Sequence, residues 1–570
     1  MTTPVWLDRG RAAARRWLGR PYAAETAVVL LYTVLSVVFT WPLVLDPGAL
    51  APAHFDPPFT AWRLAWVAHQ LGHGHLVGEG LDRLFDGNIF WPDKKTLAYS
   101  DAVLLQGILG APLVALGVPV LGVANLLTLI GLVGSAFSAY LLAHRLTGHR
   151  GAAVVAGLIF AFSSYRRVHL PHLELQWAQW MPLAFWAWHR LLDTGRMRDG
   201  LLCAGAVLLQ LFSSIYYAVF LAIGLAIVGG ITLAARRFRI AMPALLGLAA
   251  GAVVVAVGAA TYGRPYAAVR LLVGDRTLEE TARYSATPRS FVTTSTDNVV
   301  YARILPHDGE GETELFPGVT PVVLAAAAMA PPFSAAAVAY TAALGVSADL
   351  SLGPNGLAYP YLRERVGALR ALRAPARLAI LVQLTLAVLA AMGLARIARR
   401  WPRLGNTIAA GAACLVLVEY ATGPLQVQRY STRPPPVYAW LATQPQLVTL
   451  ELPTPEPQGL PYLDPFYMFA STWHWQPLVN GYSGHYSRRY LDLVEMMPRM
   501  PGPDATDELT RRGVQRILVH GGLIPPARYQ TLIAGIEANP MFHLVATSED
   551  HVGEVRVYAF LPGFGPTRAN

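Results

Sequence analysis

Long stretches of this chain contain no charged residue at all. They run over 26–45, 102–143, 151–165, 175–188, 201–235, 240–263, 317–348, 378–395 and 404–418. About 20 apolar residues suffice to cross the hydrocarbon of a bilayer as a helix. The blocks 102–143, 201–235 and 317–348 therefore each have room for two, giving about twelve helical segments. Only 14% of the residues are charged, against about a quarter in an ordinary soluble domain. That excludes a soluble enzyme and a disordered or fibrous chain, and it predicts a polytopic helical membrane protein.

The formal net charge of +10 does not point to nucleic acid, because the arginines sit at the ends of the apolar blocks, where they orient helices in a membrane. On that rule the tail carrying Arg9, Arg11, Arg15, Arg16 and Arg20 is cytoplasmic, as are Arg196 with Arg198, Arg236 to Arg239, and Arg396 to Arg403. The segments 264–316, 349–377 and everything after about 423 then lie outside. Before residue 190 the parity fails by one. Either one segment of 102–143 is re-entrant or 151–172 does not cross; the first is preferred here, leaving about eleven crossings and putting 166–172 outside. Cys203 and Cys414 both fall in apolar blocks and read as packing residues.

Two regions differ from the bundle, dividing the chain into a transmembrane domain over 1–424 and a soluble domain over 425–570. The first is the long loop 46–101 within the bundle. The second, the C-terminal domain, opens on Pro434-Pro435-Pro436. Its strand-like runs Leu447–Leu452, Arg516–His520 and Glu554–Phe560 alternate with helical stretches such as Asp504–Arg512, which predicts a small α/β fold.

Candidate chemistry lies mostly in the loops. Trp62, Trp66, His69 and His73 share one face of a helix that suits the membrane interface, and Asp56 stands just before it. Asp56 reads either as a helix cap ahead of Pro57-Pro58 or as a carboxylate that deprotonates an acceptor hydroxyl or holds a metal. Asp93 and Asp101 are candidates for a second acid, Asp101 being equally suited to capping the next helix. Lys94 and Lys95, the only lysines, are candidate phosphate contacts. Arg166, Arg167, His169, His172 and Glu174 lie between short apolar segments, where charge is costly and usually lines a site. Arg370, Arg373 and Arg377 precede an apolar helix, and guanidinium forks suit phosphate oxygens. In the tail, Thr472 to Trp475 and Asn480 to His485 set aromatics beside polar groups in the manner of a sugar-facing surface, making His474, Asn480 and Tyr482 candidate contacts, though core packing and an Asn-Gly turn account for them too. No phosphate-binding glycine loop, dinucleotide fingerprint, nucleophile elbow or zinc motif is present.

An early Asp in a long first loop, a polytopic bundle and a soluble C-terminal domain together resemble the GT-C superfamily of membrane glycosyltransferases, which use polyprenyl-phosphate-linked sugars. Asn88–Asp101, Arg145–Gly148, Phe160–Leu173 and Trp473–Gly484 are similar to stretches of a bacterial GT-C-like branch, related to protein O-mannosyltransferases and aminoarabinose transferases. The resemblance implies Asp56 as the catalytic carboxylate, with Asp101 or Asp93 as a second acidic position. It also implies Arg166, Arg167, Arg373 and Arg377 as phosphate ligands and an inverting reaction. No second acid adjoins Asp56, so the resemblance leaves the metal unknown, a divalent cation being open.

The expected function is therefore transfer of a sugar from a polyprenyl-phosphate donor to an envelope glycan, lipid or protein acceptor, at the outer face of a bacterial inner membrane. The N-terminus would be cytoplasmic and the C-terminal domain extracytoplasmic, with membrane lipids and no nucleic acid as partners. The rivals are a transporter or flippase for a lipid-linked glycan and a non-catalytic glycan- or lipid-binding scaffold. A flippase favours internal repeats and polar residues at mid-membrane. Here no repeat is visible and the candidates gather at helix ends.

Overall fold

The computed structural model describes residues 22–75, 79–307, 311–550 and 552–561, so the arginine-rich N-terminal tail lies outside the described residues. Helix α1 (Ala23–Phe39) leads into the first loop, whose main element is α2 (Asp56–Gly72). The 102–143 block becomes a short α3 (Leu104–Ala115) and a long α4 (Val120–Thr147). Helices α5 (Arg150–Phe162), α6 (Trp180–Thr194), α7 (Met197–Ser213), α8 (Ile215–Ala235) and α9 (Met242–Val273) follow. Then come α10 (Val319–Ala328), α11 (Ala335–Ser351), α12 (Ala379–Arg400) and α13 (Gly405–Glu419). Among the described residues, four helices are long and apolar enough to span a membrane alone, namely α4, α8, α9 and the run 375–400 that contains α12. Helices α1, α3, α10, α11 and α13 are shorter and apolar. The protein is a polytopic helical membrane protein with a small sheet region near its C-terminus.

Burial sorts the helices. Nearly all of α12 is enclosed, so its apolar residues pack on α5, α10 and α11 at the centre of the bundle. Only 17% of the apolar window of α9 is buried, which leaves the rest of that helix as a lipid-facing surface.

The bundle has two chemically distinct ends. At one, Arg145 and Arg236 converge on Asp193 at 2.7 Å each, Arg190 meets Asp199 at 2.9 Å, Arg150 meets Glu25, and Arg399 reaches the carbonyl of Thr147. At the other, the first loop and the C-terminal domain close over the helices. Both ends of α3 lie on this capped side. Asp101, just before it, accepts hydrogen bonds from Ser214 and Ile215 at the start of α8, and Asn125, just after it, donates to the carbonyls of Pro47 and Leu50. Helix α3 packs on α2, so the 102–143 block holds one short helix beside one long one.

The cap is stitched by backbone pairing. Strand β1 (Leu50–Pro52) in the first loop pairs antiparallel with β2 (Val427–Arg429). A four-stranded sheet forms from β3 (Thr449–Leu452), β4 (Arg516–His520), β5 (Phe542–Asp550) and β6 (Gly553–Phe560), in the order β3-β4-β6-β5, with only β3 and β4 parallel. Helices α14 (Asp464–Ser471) and α15 (Arg488–Met496) flank it. Residues 88–91 of the first loop exchange backbone hydrogen bonds with 478–480, which in turn pair with β3, so the loop is woven into the edge of this domain.

One expectation changes here. The aromatic face of α2 does not lie in the membrane interface. Trp62 and Trp66 are buried, Trp66 lies 5.7 Å from Trp475, and His69 stacks on Trp475 at 4.2 Å. The C-terminal domain covers the face because its own aromatics complement it.

Candidate functional site

At the capped end a cavity of about 500 Å³ lies between the bundle, α2 and the C-terminal domain. Asp56 enters it from the first turn of α2. Its carboxylate makes no capping bond to its own helix. Instead Oδ1 accepts the Tyr482 hydroxyl at 2.8 Å, while Oδ2 lies 2.8 Å from Nε2 of His172 and 3.3 Å from Nδ1 of His54. Nδ1 of His54 also accepts the Asp56 backbone N–H, which favours the neutral ring carrying its proton on Nε2. Burial alone would raise the pKa of Asp56, but His172 and the Tyr482 hydroxyl outweigh it and hold the carboxyl well below the usual range. Burial lowers that of His172, yet the Asp56 charge outweighs it and the net shift is upward. Nδ1 of His172 is buried and has no partner among the described residues.

Two further ion pairs line the walls. Arg63 of α2 meets Glu174 at 3.0 Å and steadies Thr60 and the carbonyl of Asp101. Arg377 grips Glu312 through Nε and a terminal nitrogen, and Nε2 of His169 stands 3.1 Å from the same carboxylate. Burial would raise Glu312, but Arg377 and His169 together hold it well below its usual value. Arg373 differs from these. It lines the cavity with its guanidinium over the Tyr284 ring at 4.6 Å, and no carboxylate pairs with it among the described residues. It is a cation held at the cavity wall by a ring face, with its fork open to an anion.

The tertiary fold thus gathers Asp56, His169, His172, Arg373, Arg377 and Tyr482 around one space, and it sends the other candidates elsewhere. The Asp101 carboxylate caps α8, a helix distant in sequence, and burial with Glu174 nearby pushes its pKa up to about 6. Asp93 accepts the Tyr99 hydroxyl and lies 3.4 Å from Arg489. Lys94 and Lys95 sit by Asp86 and Asp82, beside the helix Glu79–Phe85. Arg166 is buried and spends its fork on the carbonyls of Leu175 and Gln176, and Arg167 ties Asp297 to the carbonyls of Phe39 and Gly423. His474 and Asn480 are interior braces rather than sugar contacts. His474 accepts the Gln476 N–H, and burial takes its pKa down to about 3. Asn480 bridges both backbone groups of Glu451. A buried polar group must satisfy itself locally, which is why these residues turn inward.

Sequence reasoning missed Arg63, Glu312 and the role of His54 beside Asp56. Arg63 carried a signal, a charge on an otherwise aromatic helix. Glu312 carried none. Among the described residues, no group of three His, Cys, Asp or Glu stands in metal-holding geometry. Both Asp56 oxygens already face proton donors, so this arrangement does not fit a divalent cation, and no step is derived through one.

No protein-family model and no curated protein matches the chain. Solved structures do. Arabinofuranosyltransferase AftD from Mycobacteria superposes over 95% of this chain with a TM-score of 0.58 at 15% identity. This chain spans 41% of the length of that structure. ArnT from Cupriavidus metallidurans, in its apo state, covers 96% of this chain and 100% of its own at 13% identity, with a TM-score of 0.48. At this identity the superposition shows that the chain shares the fold of the matching part of AftD.

Proposed function

We propose that this protein is a GT-C-type glycosyltransferase of a bacterial inner membrane, with the capped end outside and the N-terminus in the cytoplasm. The donor is a polyprenyl-phosphate sugar and the acceptor a hydroxyl presented at the outer face. The observation that carries this is one cavity in which a charged carboxylate, Asp56, and a guanidinium with no carboxylate partner among the described residues, Arg373, face the same space. The arginine-rich open end supports the orientation, since cationic loop ends stay cytoplasmic. The fold shared with AftD supports the chemistry.

In this mechanism the lipid phosphate binds Arg373, with Arg377 and His169 beside it. The acceptor oxygen attacks the anomeric carbon as the bond from that carbon to the phosphate oxygen breaks. The electron pair leaves with the polyprenyl phosphate, whose growing charge Arg373 stabilises. The hydroxyl proton passes to the Asp56–His172 pair, and Tyr482 and His54 keep the carboxylate aligned. Attack from the face opposite the phosphate inverts the anomeric centre.

The test is transfer in proteoliposomes from a panel of radiolabelled polyprenyl-phosphate sugars into an envelope extract. The wild type should transfer, and Asp56→Asn, which keeps shape but loses charge, should fall by about 10²–10⁴ in rate while remaining folded. Wild-type rates in Asp56→Asn would remove Asp56 from the reaction. Absence of transfer by the wild type across the panel would return the transporter or scaffold to first place.

A further inference from the structure

A second cavity, of about 310 Å³, opens in the C-terminal domain between residues 428–431, α14 and the sheet. Aromatic side chains make up much of its lining. Tyr430 and Phe466 lie parallel at 5.9 Å, Tyr467 stacks on His520 at 5.3 Å, and Trp473 packs at 5.3 Å against Phe469. Polar groups sit among them. The indole N–H of Trp473 has no acceptor among the described residues, and Asp550 lines the space with one carboxylate oxygen taking the Val552 N–H.

Flat aromatic walls with a carboxylate and an N–H donor match a sugar ring. Its axial C–H face carries partial positive charge and stacks on the negative face of an aromatic ring, while its hydroxyls need a strong acceptor and a donor at the edge. A lipid chain has no use for the carboxylate, and the cation in the lining, Arg429, is already paired with Asp46 at 2.6 Å, so an anion gains little here. The place is also suggestive. The Tyr430 hydroxyl donates to the backbone carbonyl of His54, two residues from Asp56, so one side chain joins this cavity to the wall of the other.

We infer that the Tyr430–Trp473–Asp550 cavity binds a neutral sugar residue, and that the acceptor is therefore a carbohydrate chain held here while another of its residues meets Asp56. The acceptor role rests on the function proposed above, whereas sugar binding at this cavity does not.

The test reads binding without turnover. The full-length protein in lipid nanodiscs is titrated with di- and trisaccharides of pentofuranose, mannose, glucose, galactose and N-acetylhexosamine, followed by saturation-transfer NMR. At least one should bind, and Trp473→Ala and Asp550→Asn should each weaken it about tenfold or more. Trp473→Phe, which keeps an aromatic face and loses the N–H, should weaken binding less than Trp473→Ala, and Asp56→Asn should stay close to wild type. Should Trp473→Ala fail to fold, Asp550→Asn with Trp473→Phe decides. The inference is overturned if no sugar of the panel binds, if the folded cavity variants bind as wild type, or if binding is lost in Asp56→Asn alone. Binding that persists in a protein without transferase activity would sink the enzyme and keep this site.

Discussion

Asp56 is buried and Asp101 half-buried, both at the capped end, and their surroundings drive them in opposite directions. Asp56 is held below its ordinary value by His172 and Tyr482. Its charge therefore stabilises the fold above the unperturbed carboxylate value of about 4, and that stabilisation fades as pH falls below it. Asp101 is raised to about 6 by burial and Glu174. A raised acid works the other way, so its share of stability declines as pH climbs from about 4 to 6. Thermal unfolding scanned across this range should show Asp56→Asn losing its deficit toward acid and Asp101→Asn gaining relative to wild type toward neutral pH. Matching slopes for the two variants would contradict the opposed environments. Arg373→Ala should raise the KM for the lipid donor, because Arg373 has no carboxylate partner among the described residues. A change in kcat alone would argue against a ground-state phosphate contact. Among these residues, Asp56 and Arg373 were legible as candidates from sequence. The pairing of Asp56 with His172 was not, because 116 positions separate them and no local pattern records the approach.

Among the elements, α12 is the mechanical centre. A Cβ on Gly393 would strike the carbonyl of Leu324 on α10, whereas one on Gly345 of α11 meets nothing within 4 Å. Gly393→Ala should cost about 1–3 kcal/mol and lower the unfolding temperature, and Gly345→Ala should leave it unchanged or slightly higher. Equal tolerance at both sites would mean that the α10–α12 contact is looser than described. The apolar blocks were plain in the sequence, but which half of 102–143 would form the short helix was not, since α3 and the start of α4 are both uncharged. Bonds from Asp101 to α8 and from Asn125 to the first loop fix α3 at one end.

For the whole molecule, a cap on one end and arginines on the other imply a fixed orientation in the membrane. In intact cells a membrane-impermeant maleimide should label a cysteine placed at Arg488, which is exposed on α15, and should reach one placed at Arg198 only after lysis. The reverse pattern would invert the proposed topology and detach the site from the outer face. The sequence by itself determined the class of molecule, because apolar length, charge placement and strand alternation are local properties with local causes. It also marked Trp62, Trp66, Trp473 and Trp475 as surface-seeking aromatics without saying what they would cover. Only the tertiary structure decided that α2 packs beneath the C-terminal domain, that Arg166, Arg167, His474 and Asn480 are spent on internal bonds, and that Glu312 joins Arg377 at the cavity. A buried polar group takes whatever partner the fold brings within about 3 Å, and that choice is made in three dimensions.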